Sequence, residues 1–107
     1  MRKWAILATC LAWGGHAEAL QSYYTGQTFL QMSDPGKSAY VAGAYDAGRE
    51  KFPWMENCTP DWSAGQLRAV FEKYLKEHPE DWAYTASSLL PRAVANVCPS
   101  APAAFKN

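Results

Sequence analysis

Two cysteines, Cys58 and Cys98, bracket a pair of helix-like segments that meet at His78-Pro79, and this placement constrains the fold more than any other feature of the chain. Two antiparallel helices joined by a tight turn return the chain to its starting level. Residues just before the first helix and at the end of the second can therefore meet. A bond between them would close a loop of about forty residues, worth roughly 4 kcal/mol in the chain-entropy treatment of cross-links. The net stability of a domain this small is only about 4 to 13 kcal/mol, so such a bond would supply a large share of it.

The N-terminus indicates where that bond could form. Met1-Arg2-Lys3 supplies a basic start, Trp4 to Gly14 an apolar stretch of about eleven residues, and Ala17-Glu18-Ala19 a small-x-small cleavage site. Residues 1–19 read as an export signal cut after Ala19, and the mature protein is expected in the periplasm. The apolar stretch falls well short of the roughly twenty residues needed to span a bilayer, so no membrane association is expected after cleavage. Of the three cysteines, Cys10 leaves with the signal. An even pair then remains in an oxidising compartment, which favours a structural disulfide. A reactive or metal-binding pair is disfavoured. The sequence has no C-x-x-C, and beyond the signal His78 is the sole histidine, so a zinc site would have to borrow a carboxylate.

Charge excludes one class of partner. Removing Arg2, Lys3 and Glu18 from ten basic and ten acidic residues leaves a nearly neutral mature chain with no basic run. Phosphate backbones select basic stripes, so nucleic-acid binding is not expected.

The periodicity is helical throughout, and the fold class is all-α, a small bundle of four to five helices with one disulfide. A first segment spans about Gln21 to Gln31, with Gly26 in its middle. Ser33-Asp34-Pro35 opens a second, running to Lys51, with Pro35 suited to a first turn and Ser33 or Asp34 to the cap. Tyr40, Ala44 and Gly48 share one stripe of it and Val41 and Tyr45 the next. Its small residues would let another helix approach closely. Phe52 to Asn57 reads as a loop, since Pro53 disfavours helix at Phe52. The third segment is the best specified. Ser63 and Gln66 form a capping box, Leu67, Val70, Phe71, Tyr74 and Leu75 make one apolar face, and Glu72 and Lys76 stand at ion-pair spacing. Pro79 starts a fourth, whose stripe is Trp82, Ala86, Leu89, Leu90, Ala93, Val94 and Val97, with a kink or a break expected near Ser87 to Leu90 because Pro91 interrupts it. The helical domain is thus 20–99, and 100–107 reads as a flexible tail.

Tyr24-Thr25-Gly26 with Leu30, Tyr40 through Ala47, Cys58-Thr59-Pro60 with Gln66-Leu67, Tyr74-Leu75, His78-Pro79 and Ala93 through Cys98 form an ordered series. That series resembles the Rap/Tai family of immunity proteins of bacterial type VI secretion, over about Tyr24 to Cys98. The resemblance implies a small exported helical domain that binds and neutralises a cognate effector protein, commonly a peptidoglycan-cleaving amidase, and that is not an enzyme. The chain departs from the family pattern in two places. Many members carry a further cysteine pair near the positions of Ser33 and Lys37, and Pro91 falls inside the last helix.

An inhibitor of this kind needs aromatic or methionine anchors amid polar groups. Phe52, Trp54, Met55 and Glu56, held next to Cys58, are the expected partner-binding residues. The competing expectation is that Trp54 and Met55 fold back over the core, and Trp62 reads as a cap over the third segment. His78 with Asp81 or Ser63 would be the only catalytic arrangement to consider. No nucleophile motif accompanies it, and a helix-junction role explains it better. Glu80 and Asp81 suit the first turn of a helix without any catalytic task. Asp46 could bond a neighbouring helix or face a partner. Asn57-Cys58-Thr59 fits a glycosylation sequon formally, with its cysteine already committed. No cofactor is implied. A homodimer is left open, and a periplasmic stress or holding chaperone is the alternative function.

Overall fold

Three hydroxyls set the starts of the helices in the computed structural model, which describes residues 24–106. Thr25 accepts from the Thr28 backbone N–H and starts α1 (Gly26–Leu30). Ser33 accepts from Gly36 and starts α2 (Asp34–Lys51), with Pro35 in its first turn. Ser63 starts α4 (Ala64–Glu77) by the expected capping box, accepting from Gln66 N–H while the Gln66 side chain accepts from Ser63 N–H at 2.9 Å. Between α2 and α4 lies α3 (Trp54–Cys58), and α5 (Ala86–Asn96) completes the set. The described residues contain five α-helices and no strand beyond one isolated bridge, so the all-α expectation holds. No helix among them is long and apolar enough to cross a membrane. The expected export signal, 1–19, lies outside the described residues.

α2, α4 and α5 pack against one another, with α1 laid across α4 and α5 and α3 wedged between α2 and α5. At the centre Phe29, Val41, Met55, Phe71, Leu75 and Val94 are wholly buried, the Phe29 and Phe71 rings 4.8 Å apart. The predicted face of α4 is inside, with Val70 half-buried at its edge. The predicted Glu72–Lys76 pair does not form. Glu72 instead turns to α2, where it takes the buried Lys37 ammonium at 2.6 Å, and Arg68 approaches both Glu72 and Asp34. A longer reach to a partly buried cation outweighs a solvent-exposed pair on the same helix, which is worth only a few tenths of a kcal/mol. Ser33 and Lys37, where many relatives carry a second cysteine pair, are here a helix cap and this inter-helix ion pair.

Two expected boundaries shift, and both for the same reason. The residues on either side of Thr25 pair with those around Thr85: Gly26 N–H donates to Tyr84 O and Ala86 N–H to Tyr24 O. Gly26 is consequently the first residue of α1, not the middle of a longer helix. A Cβ there would lie 2.9 Å from Leu75 Cδ2, 3.2 Å from Leu89 Cδ1 and 3.3 Å from the Trp82 backbone. Gly26→Val is expected to cost about 1–3 kcal/mol through overpacking, read as a lower midpoint of thermal unfolding. An unchanged midpoint would mean the pocket has room. The same pairing breaks the fourth segment at Trp82 to Thr85, after a short 3₁₀ turn (Pro79–Asp81), and not at Ser87 to Leu90. Pro91 sits inside α5 without ending it.

Thr85 makes no side-chain cap for α5. Burial raises the Tyr40 phenol on α2 above its ordinary range, and the nearby Ser87 of α5 offsets part of the rise.

Cys58 and Cys98 are disulfide-bonded, their Cα atoms 5.6 Å apart. The bond ties the end of α3 to the residue two beyond α5. Past it the chain is packed where a loose tail was expected. Ala101 is buried, and a 3₁₀ turn (Ala103–Phe105) sets Phe105 against Phe52 at 4.9 Å and Trp54 at 5.1 Å. Val97, expected inside, is 48% exposed.

Candidate binding surface

Phe52 to Asn57 is helical where a loop was expected, and the helix decides which of its side chains can touch a partner. Pro53 stands at the N-cap of α3, where its missing N–H costs nothing. One turn of helix then turns Met55 inward. Met55 is wholly buried, with its sulfur 3.5 Å from where a Cβ on Gly48 would be. It is a core residue and not a presented anchor. Trp54 is half-buried, its indole Nε1 enclosed with no hydrogen-bond partner among the described residues. Phe52 is half-buried against Phe105, and Glu56 is exposed, 3.7 Å from Arg49. The folding-back expected as the competing case holds fully for Met55 and in part for Trp54. Trp62 packs against the core beside α4.

His78 is explained by its own neighbours. It ends α4, stacks on Tyr74 at 4.3 Å, and its Nδ1 lies 3.0 Å from Glu80 Oε2. Asp81 is buried and accepts the Tyr74 hydroxyl at 2.7 Å. Glu80 is exposed, and its carboxyl is held below its ordinary range by its own backbone N–H and then by His78. Donor atoms of His78, Glu80 and Asp81 lie within 4.8 Å of one another, but bonds within the protein already use one face of each. Ser63 caps the opposite end of α4, about 20 Å away by helix rise, so it cannot act with His78. Asp46 is exposed on α2, 3.5 Å from Arg49. The sequon residue Thr59 is buried. Its hydroxyl donates to Met55 O and accepts from Tyr45.

Among the grooves of the described residues, two lie between α5 and another helix. One, about 290 Å³, runs between α4 and α5 past His78 and Val97, and is edged by the Lys73–Glu77 ion pair at 2.9 Å. The other, about 310 Å³, lies between α2 and α5. Ala44, Ala47 and Gly48 form its α2 wall, Ser87, Ser88 and Pro91 its α5 wall, and Phe52 and Phe105 its end. The small residues of α2 let α5 pack close by, as expected, and leave a channel beside the contact. Of the anticipated contact residues, Phe52 alone reaches this groove. Phe105 and the α5 wall were missed, since nothing local in the sequence connects them to Phe52.

The fold and surfaces define a small all-helical domain, closed by one disulfide and furrowed by grooves with aromatic rims. A family model described as Rap1a immunity proteins matches residues 8–100, most of the chain, and the chain belongs to that family. No curated protein and no solved structure matches it.

Proposed function

We propose that the protein is a periplasmic immunity protein that binds a type VI effector stoichiometrically and occludes its active site, the effector being a peptidoglycan amidase. The family match over residues 8–100 carries this reading. The Cys58–Cys98 disulfide supports the compartment, because such bonds form and persist outside the reducing cytoplasm. The leader, with cleavage after Ala19, accords with both. Binding and not chemistry is the role assigned, since His78, Glu80, Asp81 and Ser63 are each engaged in holding helix ends.

The test is protection and complex formation together. The gene next to that of this chain is expected to encode a secreted cell-wall hydrolase. Its purified product should form a 1:1 complex with the mature protein and lose activity on peptidoglycan. Exported immunity protein should protect cells receiving that hydrolase in the periplasm, and a variant lacking residues 1–19 should not. Absence of both complex and protection would sink the proposal. Broad suppression of aggregation at acid pH, with no single stoichiometric partner, would assign the protein to the holding chaperones.

A further inference from the structure

We infer that the α2–α5 groove is the surface that receives the effector, and that its occupant is an apolar segment carrying a carboxylate. The inference rests on the immunity reading above and deepens it by naming the face and the chemistry it selects.

The groove is built for an apolar guest. Ala44, Ala47 and Gly48 remove side-chain bulk along just over one turn of α2, and Phe52 and Phe105, packed edge to face at 4.9 Å, close one end. A partner side chain entering there would be flanked by aromatic rings whose positions are fixed by mutual packing, the arrangement that concentrates binding energy in a few contacts. Polar recognition is confined to a few points. Pro91 has no N–H, which leaves the carbonyl of Ser87 without its usual i+4 donor on the α5 wall.

Charge decides the sign of the guest. Lys51 is the one ionisable side chain among the groove's lining residues, and no carboxylate lines it. Its ammonium lies 5.5 Å from the Phe52 ring centroid, at the aromatic end. Among the described residues Lys51, Lys76, Arg92 and Lys106 have no ion pair, and of these four Lys51 is the one that lines the groove. An uncompensated cation at the rim of an apolar channel attracts an acidic group and repels a basic one, which sets specificity and on-rate more than affinity. The α4–α5 groove lacks this asymmetry, because its lysine already faces Glu77.

The probe is a phage-displayed library of random 16-residue peptides, selected on the intact mature protein. Enriched sequences are expected to combine two large apolar residues with Asp or Glu. Their binding should fall at least tenfold in Ala47→Trp, which fills the channel from an exposed helix position, and severalfold in Lys51→Glu. Lys76→Glu, an exposed cation on α4 outside the groove, should leave it unchanged. Ala47→Glu is a second filling variant, and thermal melts of all four establish that they fold. No enrichment, peptides without an acidic residue, or equal binding to folded Ala47→Trp or Ala47→Glu would overturn the inference. A dimer in light scattering that Ala47→Trp dissolves would also overturn it, by giving the groove to a second copy. The neighbouring hydrolase separates the two claims. If it binds Ala47→Trp as tightly as the native protein, the groove is not the docking face and the immunity reading stands. If it binds neither, the immunity reading fails, while the peptide selection still decides what the groove accepts.

Discussion

Replacing Cys58 or Cys98 with serine is expected to lower the midpoint of thermal unfolding by roughly 15–30 °C, the equivalent of about 4 kcal/mol in a domain of this size. The loop closed by the bond has a sequence separation of 40 and contains all of α4 and α5, so the bond restrains most of the C-terminal half in the unfolded chain. It also has a local task. Cys98 lies with Ala95 and Ala101 in a small buried cluster against Trp54 and Phe105, away from the main core. Differential scanning calorimetry of the native protein with and without reductant would give the same comparison without a substitution. A reduced protein that melts at the native temperature would mean that packing alone carries the structure.

Met55→Ala is expected to cost about 2–5 kcal/mol, the range for removing a large side chain from a closed core site. Met55 is wholly buried and faces Gly48, which has no side chain to move into the space. Glu56→Ala, one residue on and exposed, should stay within about 0.5 kcal/mol of the native protein. Urea unfolding of the pair distinguishes a core methionine from a presented one. A native midpoint for Met55→Ala would place the side chain outside. Effector binding by Met55→Ala, measured at a temperature where it remains folded, should be close to native for the same reason.

These residues show what the sequence made legible. α4 was readable to the residue because its determinants are local: a hydroxyl and an amide three residues apart and an apolar face at helical spacing. The disulfide was readable because a helical hairpin fixes where its ends meet. α3 was misread because Pro53 forbids helix for the residue before it yet favours helix for those after it. The break before α5 was misplaced because Pro91 is visible in the sequence while the pairing of Tyr24 with Ala86 is not. The partner of Glu72 was likewise hidden on another helix. Of the expected contact residues, Phe52 is the one that lines the α2–α5 groove. Phe105, its counterpart across the rim, lies in a stretch whose Pro and Ala content reads as a loose end, and only tertiary packing reveals its place.

The Phe52–Phe105 contact joins two residues from opposite sides of the disulfide loop, and the chain that carries Phe105 leaves directly from Cys98. Oxidation therefore does more than staple the fold, because it anchors the last contributor to the rim. A newly made chain still holding free thiols would have an unfinished mouth to its groove. On the proposed immunity reading, competence to capture a toxin would then be acquired only once that bond has closed.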